Sequence, residues 1–268
     1  MTVGHVNQID KTTAFVKWQH ADMHDVAAAI EEAWNFEDAA GSEARLRALL
    51  TDVDGQDALV VRTQVARALG LQQRYDEAQT LLDEVAAAGP GTEARVRERL
   101  ERGRMLRSGG DPDRAGPLFA EAAALSGRLL PGLRIDALHM TALLAESPVE
   151  QVALTETVLA EARADDDPAA RRWVPSLLNN LGMARHDAGD LAGALAAFEE
   201  ALAVRRERGE HRETQIATWM VGWTLRLLGR DDEALRIQTA LKAELEAEGA
   251  TDPYVDEEIA TLRHYDGG

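Results

Sequence analysis

Leu177–Glu210 reads LLNNLGMARHDAGDLAGALAAFEEALAVRRERGE. The stretch has no proline and no alternating, strand-like run. It is helix-forming almost throughout and breaks at Gly189-Asp190. Its small residues keep fixed distances. Ala194 stands twelve places after Gly182, Phe198 four places later, and Ala201 three after that. Steps of four and three trace one face of a helix, so these three residues share a side of the second of two helices, A and B. The glycine serves as the C-cap of A and the aspartate as the N-cap of B. Helices meet by ridges in grooves, and bulky side chains at the crossing would hold them apart. Gly182 and Ala194 are therefore the expected crossing points.

The unit recurs. Gly222 and Ala234 repeat the pattern forty residues on, with Gly229 in place of Gly189. Upstream, Gly103, Ala115, Phe119 and Ala122 keep the same offsets, as do Ala66, Ala78, Leu82 and Val85. Two weaker copies fill the gaps. Near 134–165, Ser147-Pro148 replaces the glycine turn and Ala153 takes the small position. Near 25–54, Gly41 marks the turn and Ala44 follows. Longer breaks (AAGPGTE, RLLPGL, DDDP, RGEHRE, EGATDP) recur at nearly the repeat length. They favour one array over unrelated domains. Three segments are expected: a partly ordered lead-in at 1–20, the helical array at 21–250, and a capping helix with tail at 251–268. Asp252 would cap that last helix and Pro253 would open it.

Composition agrees with an all-α chain. Alanine dominates, aromatics are 4%, and 268 residues suffice for a sizeable core. The net charge of -18 would repel a phosphate backbone, so nucleic acid is not an expected partner. The absence of cysteine excludes disulfides, zinc–thiolate sites and thiol catalysis. Neither an apolar leader nor a membrane-length apolar run occurs, so the expected location is cytoplasmic, with no membrane contact.

The pattern resembles the tetratricopeptide repeat, in Leu181-Gly182, the turn glycine, Ala194, Phe198 and Ala201. The resemblance spans roughly residues 22–250 as about six units. LNNLG and a repeat near forty resemble the longer-helix subgroup of kinesin light chains and bacterial regulatory proteins. The resemblance implies a right-handed superhelical solenoid of about six antiparallel helix pairs, closed by the capping helix. The sequence departs from the family at Arg185, where tyrosine is usual, and at Gln238 and Thr157, where an aromatic is usual.

In such a stack the A helices line an inner face. Helical spacing puts Ser176, Asn179, Met183, His186 and Asp187 there in the fifth unit. In the sixth it puts Ile216, Trp219, Trp223, Arg226 and Leu227. In the third come Arg97, Leu100, Arg104, Arg107 and Ser108, and in the second Arg67. The B helices carry glutamates such as Glu121, Glu156, Glu199 and Glu200. A basic strip between acidic flanks suits the carboxylates of an acidic segment or C-terminus, which arginine forks grip bidentately. Trp219 and Trp223, four apart, would add flat apolar contact. The family resemblance implies that Asn180, with Asn179 beside it by its facing, holds the backbone of an extended peptide. The expected peptide-binding residues are thus Arg67, Arg104, Arg107, Asn179, Asn180, His186, Trp219, Trp223 and Arg226.

Other chemistry finds little support. His20, Asp22 and His24 do not share a helical face, and Asp22 reads as an N-cap, so no metal is expected. His139 reads as a core histidine. His186-Asp187 could pair a base with an orienting acid, but neighbours on a helix point apart, so no catalytic residue and no cofactor are expected. The expected function is a non-enzymatic scaffold for a protein or peptide. The alternatives are a ligand-responsive regulatory sensor, an enzyme or small-molecule site built in the groove, and pairing of two copies into a homodimer.

Overall fold

The computed structural model describes residues 26–265, and these are helical with no strand among them. The lead-in and the His20/Asp22/His24 triplet lie outside the described residues. The chain divides into two compact units, one ending at Ser126 and the other beginning at Gly127. The first holds three helix pairs. These are α1 (26–33) with α2 (Ala39–Leu49), α3 (Gly55–Leu71) with α4 (Tyr75–Ala87), and α5 (Thr92–Ser108) with α6 (Pro112–Ser126). The second holds α7 (Pro131–Ala142) with α8 (Pro148–Ala164), a single turn α9 (Pro168–Arg171), α10 (Val174–Asp187) with α11 (Leu191–Arg208), and α12 (His211–Leu227) with α13 (Asp231–Ala247). Helix α14 (Pro253–Tyr265) follows. Partners within the second to sixth pairs pack together, and α3, α10 and α12 also pack on the preceding B helices α2, α8 and α11. Within each unit this is helical-repeat packing, with successive pairs stacked on one another.

The crossing of A on B is made by a missing side chain. A Cβ at Gly182 would lie 2.4 Å from the Phe198 ring, and one at Gly103 would lie 2.3 Å from the Phe119 ring. The glycine is thus the hole into which the aromatic of helix B fits, and Gly182 meets Phe198 rather than Ala194. Ala194 and Ala201 flank the ring, fully buried, as do Ala115 and Ala122 in the third pair. In the sixth pair the ring is replaced by Gln238, which is fully buried. Its Nε2 donates to the Trp219 carbonyl at 3.1 Å, and its Oε1 finds no partner among the described residues.

The two weak copies carry a different register from the one expected. In α8 the buried positions include Thr155, Leu159 and Ala162, and in α2 they include Ser42 and Leu46. Ala153 and Ala44 are exposed. The correct sets keep the four-and-three spacing two residues away from the expected start. Thr157, assigned to the aromatic slot, points outward, and Leu159 fills that slot. Gly41 does not mark the turn. It sits in the first turn of α2, where its N–H donates to the capping carboxylate of Asp38 at 2.9 Å. The strong copies end their A helices as expected: Gly110, Gly189 and Gly229 hold φ of 87°, 82° and 72°. In the second pair the same left-handed turn is made by Gln73, at φ 62°.

The cap expected at the C-terminal end is present. Asp252 accepts from the Tyr254 N–H at 3.0 Å, and Val255 and Ile259 pack with Leu241 and Leu245 of α13 while Leu262 joins the core of α12. The glycine–ring contact predicts opposite effects at two matched sites. Gly182→Leu should lower stability in urea by about 1–3 kcal/mol through overpacking against Phe198. Gln238→Leu should raise it by about 1 kcal/mol, because a buried amide oxygen without a donor is replaced by the residue that fills this slot at Leu82 and Leu159.

Candidate functional site

The sequence-named residues fall into two groups, one in each unit. In the first unit, Arg67 of α3 and Arg104 of α5 converge on Glu101, whose side chain is 4% exposed. Arg104 Nη1 donates to its Oε1 at 2.5 Å, and Arg67 Nη1 lies 4.0 Å away. Arg67 also lies over the rings of Trp34 and Phe36, 5.8 and 5.4 Å from their centroids. Those two rings stack at 4.9 Å, and the Trp34 indole N–H donates to Gln64 at 3.1 Å. A second buried acid, Glu98, is held by Arg99 and Arg102. Arg97 pairs with Glu93 at 2.8 Å, Arg107 is exposed near the end of α5, and Leu100 is core rather than lining. A buried carboxylate is costly unless paired, so Glu101 claims the arginines that the sequence assigns to a ligand.

The second unit brings four rings together. His186 of α10 lies 4.6 Å from Trp223 of α12. Trp223 stacks on Trp219 at 5.9 Å and 9°, and Trp219 meets Tyr254 of α14 edge-on at 6.2 Å. The ladder follows from local rules. Trp219 and Trp223 are one turn apart on α12, and α10 and α14 flank that helix with one ring each. The tryptophans are half-buried against the core that contains Phe198 and Met220, while Tyr254 is 68% exposed. Ile216, one turn before Met220, is also exposed. The buried Trp219 Nε1–H finds no acceptor among the described residues. Arg226 spans to α14, where its Nε and Nη2 reach the two oxygens of the buried Glu258 at 2.5 and 3.2 Å. It clamps the cap rather than standing open for a ligand carboxylate.

Asn180 faces His139 of α7, with Nδ2 and Nε2 3.3 Å apart, and the His139 ring lies 5.7 Å from Trp173. His139 is a core residue, as expected. Asn179 is half-buried beside it. His186 and Asp187 do not point apart as expected. At the last turn of α10 their side chains meet, Nδ1 to Oδ1 at 2.9 Å. Arg185, in the position where the family usually carries tyrosine, ties three helices together. It donates to the Gly193 carbonyl at 3.1 Å and to Glu156 at 2.7 Å. It also lines a cleft of about 260 Å³ floored by Leu159, Leu178, Leu181 and Ala197 and rimmed by Arg163 and Glu200. None of the expected peptide-binding residues lines that cleft.

Sequence reasoning missed Tyr254 and Phe36. The signal for Tyr254 was present in Asp-Pro-Tyr, which places a ring in the first turn of the cap. The buried acids were also legible: Glu98 with Arg102 at i+4 and Glu101 with Arg104 at i+3 mark pairs within one helix.

A chain built of helix pairs, each nesting a ring or its substitute in a small-residue hole, is a helical-repeat protein. Residues 173–240 match the family model described as tetratricopeptide repeat. Two solved structures of kinesin-light-chain-type, nearly identical TPR-like repeats from Podosopora anserina share the fold. One, a variant, is 19% identical with a TM-score of 0.56, covering 74% of this chain and all of that one. The other is 19% identical with a TM-score of 0.53, covering 71% and 96%. No curated protein matches the chain in sequence. Residues 173–240 thus match tetratricopeptide repeats, and the fold of the chain resembles that of the kinesin-light-chain-type arrays. No helix among the described residues is long and apolar enough to cross a membrane.

Within α5, Arg104 and Arg107 separate a folding role from a surface one. Arg104→Ala should cost about 1–3 kcal/mol in a urea titration, since it strips a charge-assisted bond from a buried carboxylate. Arg107→Ala should change stability by less than about 0.5 kcal/mol, as expected of an exposed surface position.

Proposed function

We propose that the chain is a non-enzymatic protein-binding scaffold that takes an extended peptide segment along the ladder of His186, Trp223, Trp219 and Tyr254. The observation that carries this reading is the unbroken ring-to-ring contact across three helices, with Tyr254 and Ile216 exposed beside it. Tryptophan and tyrosine give large, rigid contact area at low entropic cost and dominate binding hot spots. Asn179, at the inner edge of α10, adds an amide that can donate to and accept from a peptide unit.

The arginines bear on the chemistry of the segment. Arg67, Arg104 and Arg226 already face Glu101 and Glu258 of the chain itself, so a ligand carboxylate would have to compete with an internal partner. An apolar or aromatic-bearing segment fits the ladder better than a purely acidic one. Binding of this kind needs no reacting group, and His186-Asp187 serves here as a polar edge of the ladder.

The test uses the full chain as bait for a peptide library, followed by titration of captured peptides with tryptophan emission as readout. Tyr254→Ala and Trp223→Leu should each weaken binding about tenfold or more, as loss of a hot-spot ring does. Undiminished affinity in both variants would sink the ladder as the binding face. Selection of acidic peptides alone, with affinity lost on Arg107→Glu, would restore the carboxylate-gripping alternative.

A further inference from the structure

Away from the ladder, the base of the α12–α13 pair gathers a mixed nitrogen and oxygen donor set. His211 opens α12, and Gln215 follows one turn later on the same face. Glu244 and Glu248 stand one turn apart at the end of α13. The two i, i+4 pairs face each other across the antiparallel helices. His211 Nε2 lies 2.7 Å from one Glu248 oxygen, and one ligand atom from each of His211, Glu244 and Glu248 falls within 4.8 Å of the others. Neighbouring donors in a four-coordinate zinc site with bonds of about 2.0–2.2 Å are spaced about 3–4 Å apart, so small side-chain rotations would close the set.

Two further features point to a cation rather than to an incidental surface cluster. Gln215 is 5% exposed, yet its amide is turned into the cluster. The Nε2 lies 3.2 Å from His211 Nε2, 3.3 Å from Glu244 and 3.1 Å from Glu248. A half-turn of the amide would present its oxygen as a fourth donor. Second, the last turn of α13 has Glu244 and Glu246, with Glu248 at the cap, and no basic residue. Carboxylates there stand at the negative pole of the helix, where positive charge is favoured. His211 Nε2 meets Glu248 there, and Lys242, one turn earlier, reaches Glu246 at 3.8 Å.

We propose that His211, Glu244 and Glu248, with the amide of Gln215 turned toward them, form a surface site for a transition-metal dication of the zinc class. The imidazole nitrogen separates this set from the all-oxygen sites of calcium and magnesium. A bound ion ties the start of α12 to the end of α13 and neutralises the α13 terminus.

Zinc, as the chloride, is added to the full chain, and the thermal midpoint and calorimetric heat are followed at neutral pH. Zinc should raise the midpoint and bind with measurable heat, and both effects should disappear in His211→Ala and in Glu248→Gln. Calcium and magnesium at the same concentration should do little. The proposal is overturned by the absence of heat and shift in the wild type, by a zinc effect undiminished in both variants, or by equal effects of calcium and magnesium. Circular dichroism of each variant checks that it is folded. None of these readouts involves peptide capture, so the metal site stands or falls independently of the ladder.

Discussion

The structure depends on how closely two helices can approach where one of them carries no side chain. Phe198 and Phe119 occupy the space that a Cβ on Gly182 or Gly103 would take, and the alanines on either side let the backbones close around the ring. That contact fixes the rotation of each helix about its axis. Once Phe198 points into helix A, the outer faces of α10 and α11 are set. The same argument applied to Gly222 and Gln238 fixes α12, and with it the direction of Trp219 and Trp223. The aromatic ladder is thus a consequence of core packing rather than a separate feature laid on the surface.

Charge is organised by a different rule. The chain is strongly acidic, yet its buried acids are what draw the arginines. Glu101 gathers Arg67 and Arg104, Glu98 gathers Arg99 and Arg102, and Glu258 gathers Arg226. Glu43 behaves alike. Burial pushes its carboxyl up, but hydrogen bonds from Gln72 and Arg47 and the charge of Arg74 outweigh this and hold it below its ordinary range. Such pairs add little net stability, because desolvation offsets attraction, but removing one partner is costly. They act best as locks on register between neighbouring helices.

The fold was legible where the sequence marks the constraint directly. A glycine, a turn and an aromatic at fixed offsets have one physical reading, and it held in the third and fifth pairs. The first and fourth pairs misled by two residues because alanine is common everywhere in this chain. Ala153 and Ala44 match the pattern as well as the buried Thr155 and Ser42 do, and small size alone does not mark burial. The site was legible in part. Helical spacing brought Trp219 and Trp223 to one face, but it could not show that Arg104 and Arg226 would turn sideways to internal carboxylates. That outcome rests on contacts between helices that are neighbours in space and distant in sequence. Nor could the spacing anticipate Tyr254, which enters the ladder from the cap.

Gln73 carries a wider lesson. It holds a left-handed turn that its counterparts leave to glycine, at a strain of about 1 kcal/mol for a residue with a side chain. The second pair is nonetheless built like the others, with Ala78, Leu82 and Val85 fully buried. In a modular array the shape of any one copy is underwritten by the copies beside it, so a hallmark residue can be lost without the form being lost. Sequences that build such arrays can therefore differ widely while the architecture stays recognisable, as between this chain and the repeat structure whose fold it shares at 19% identity.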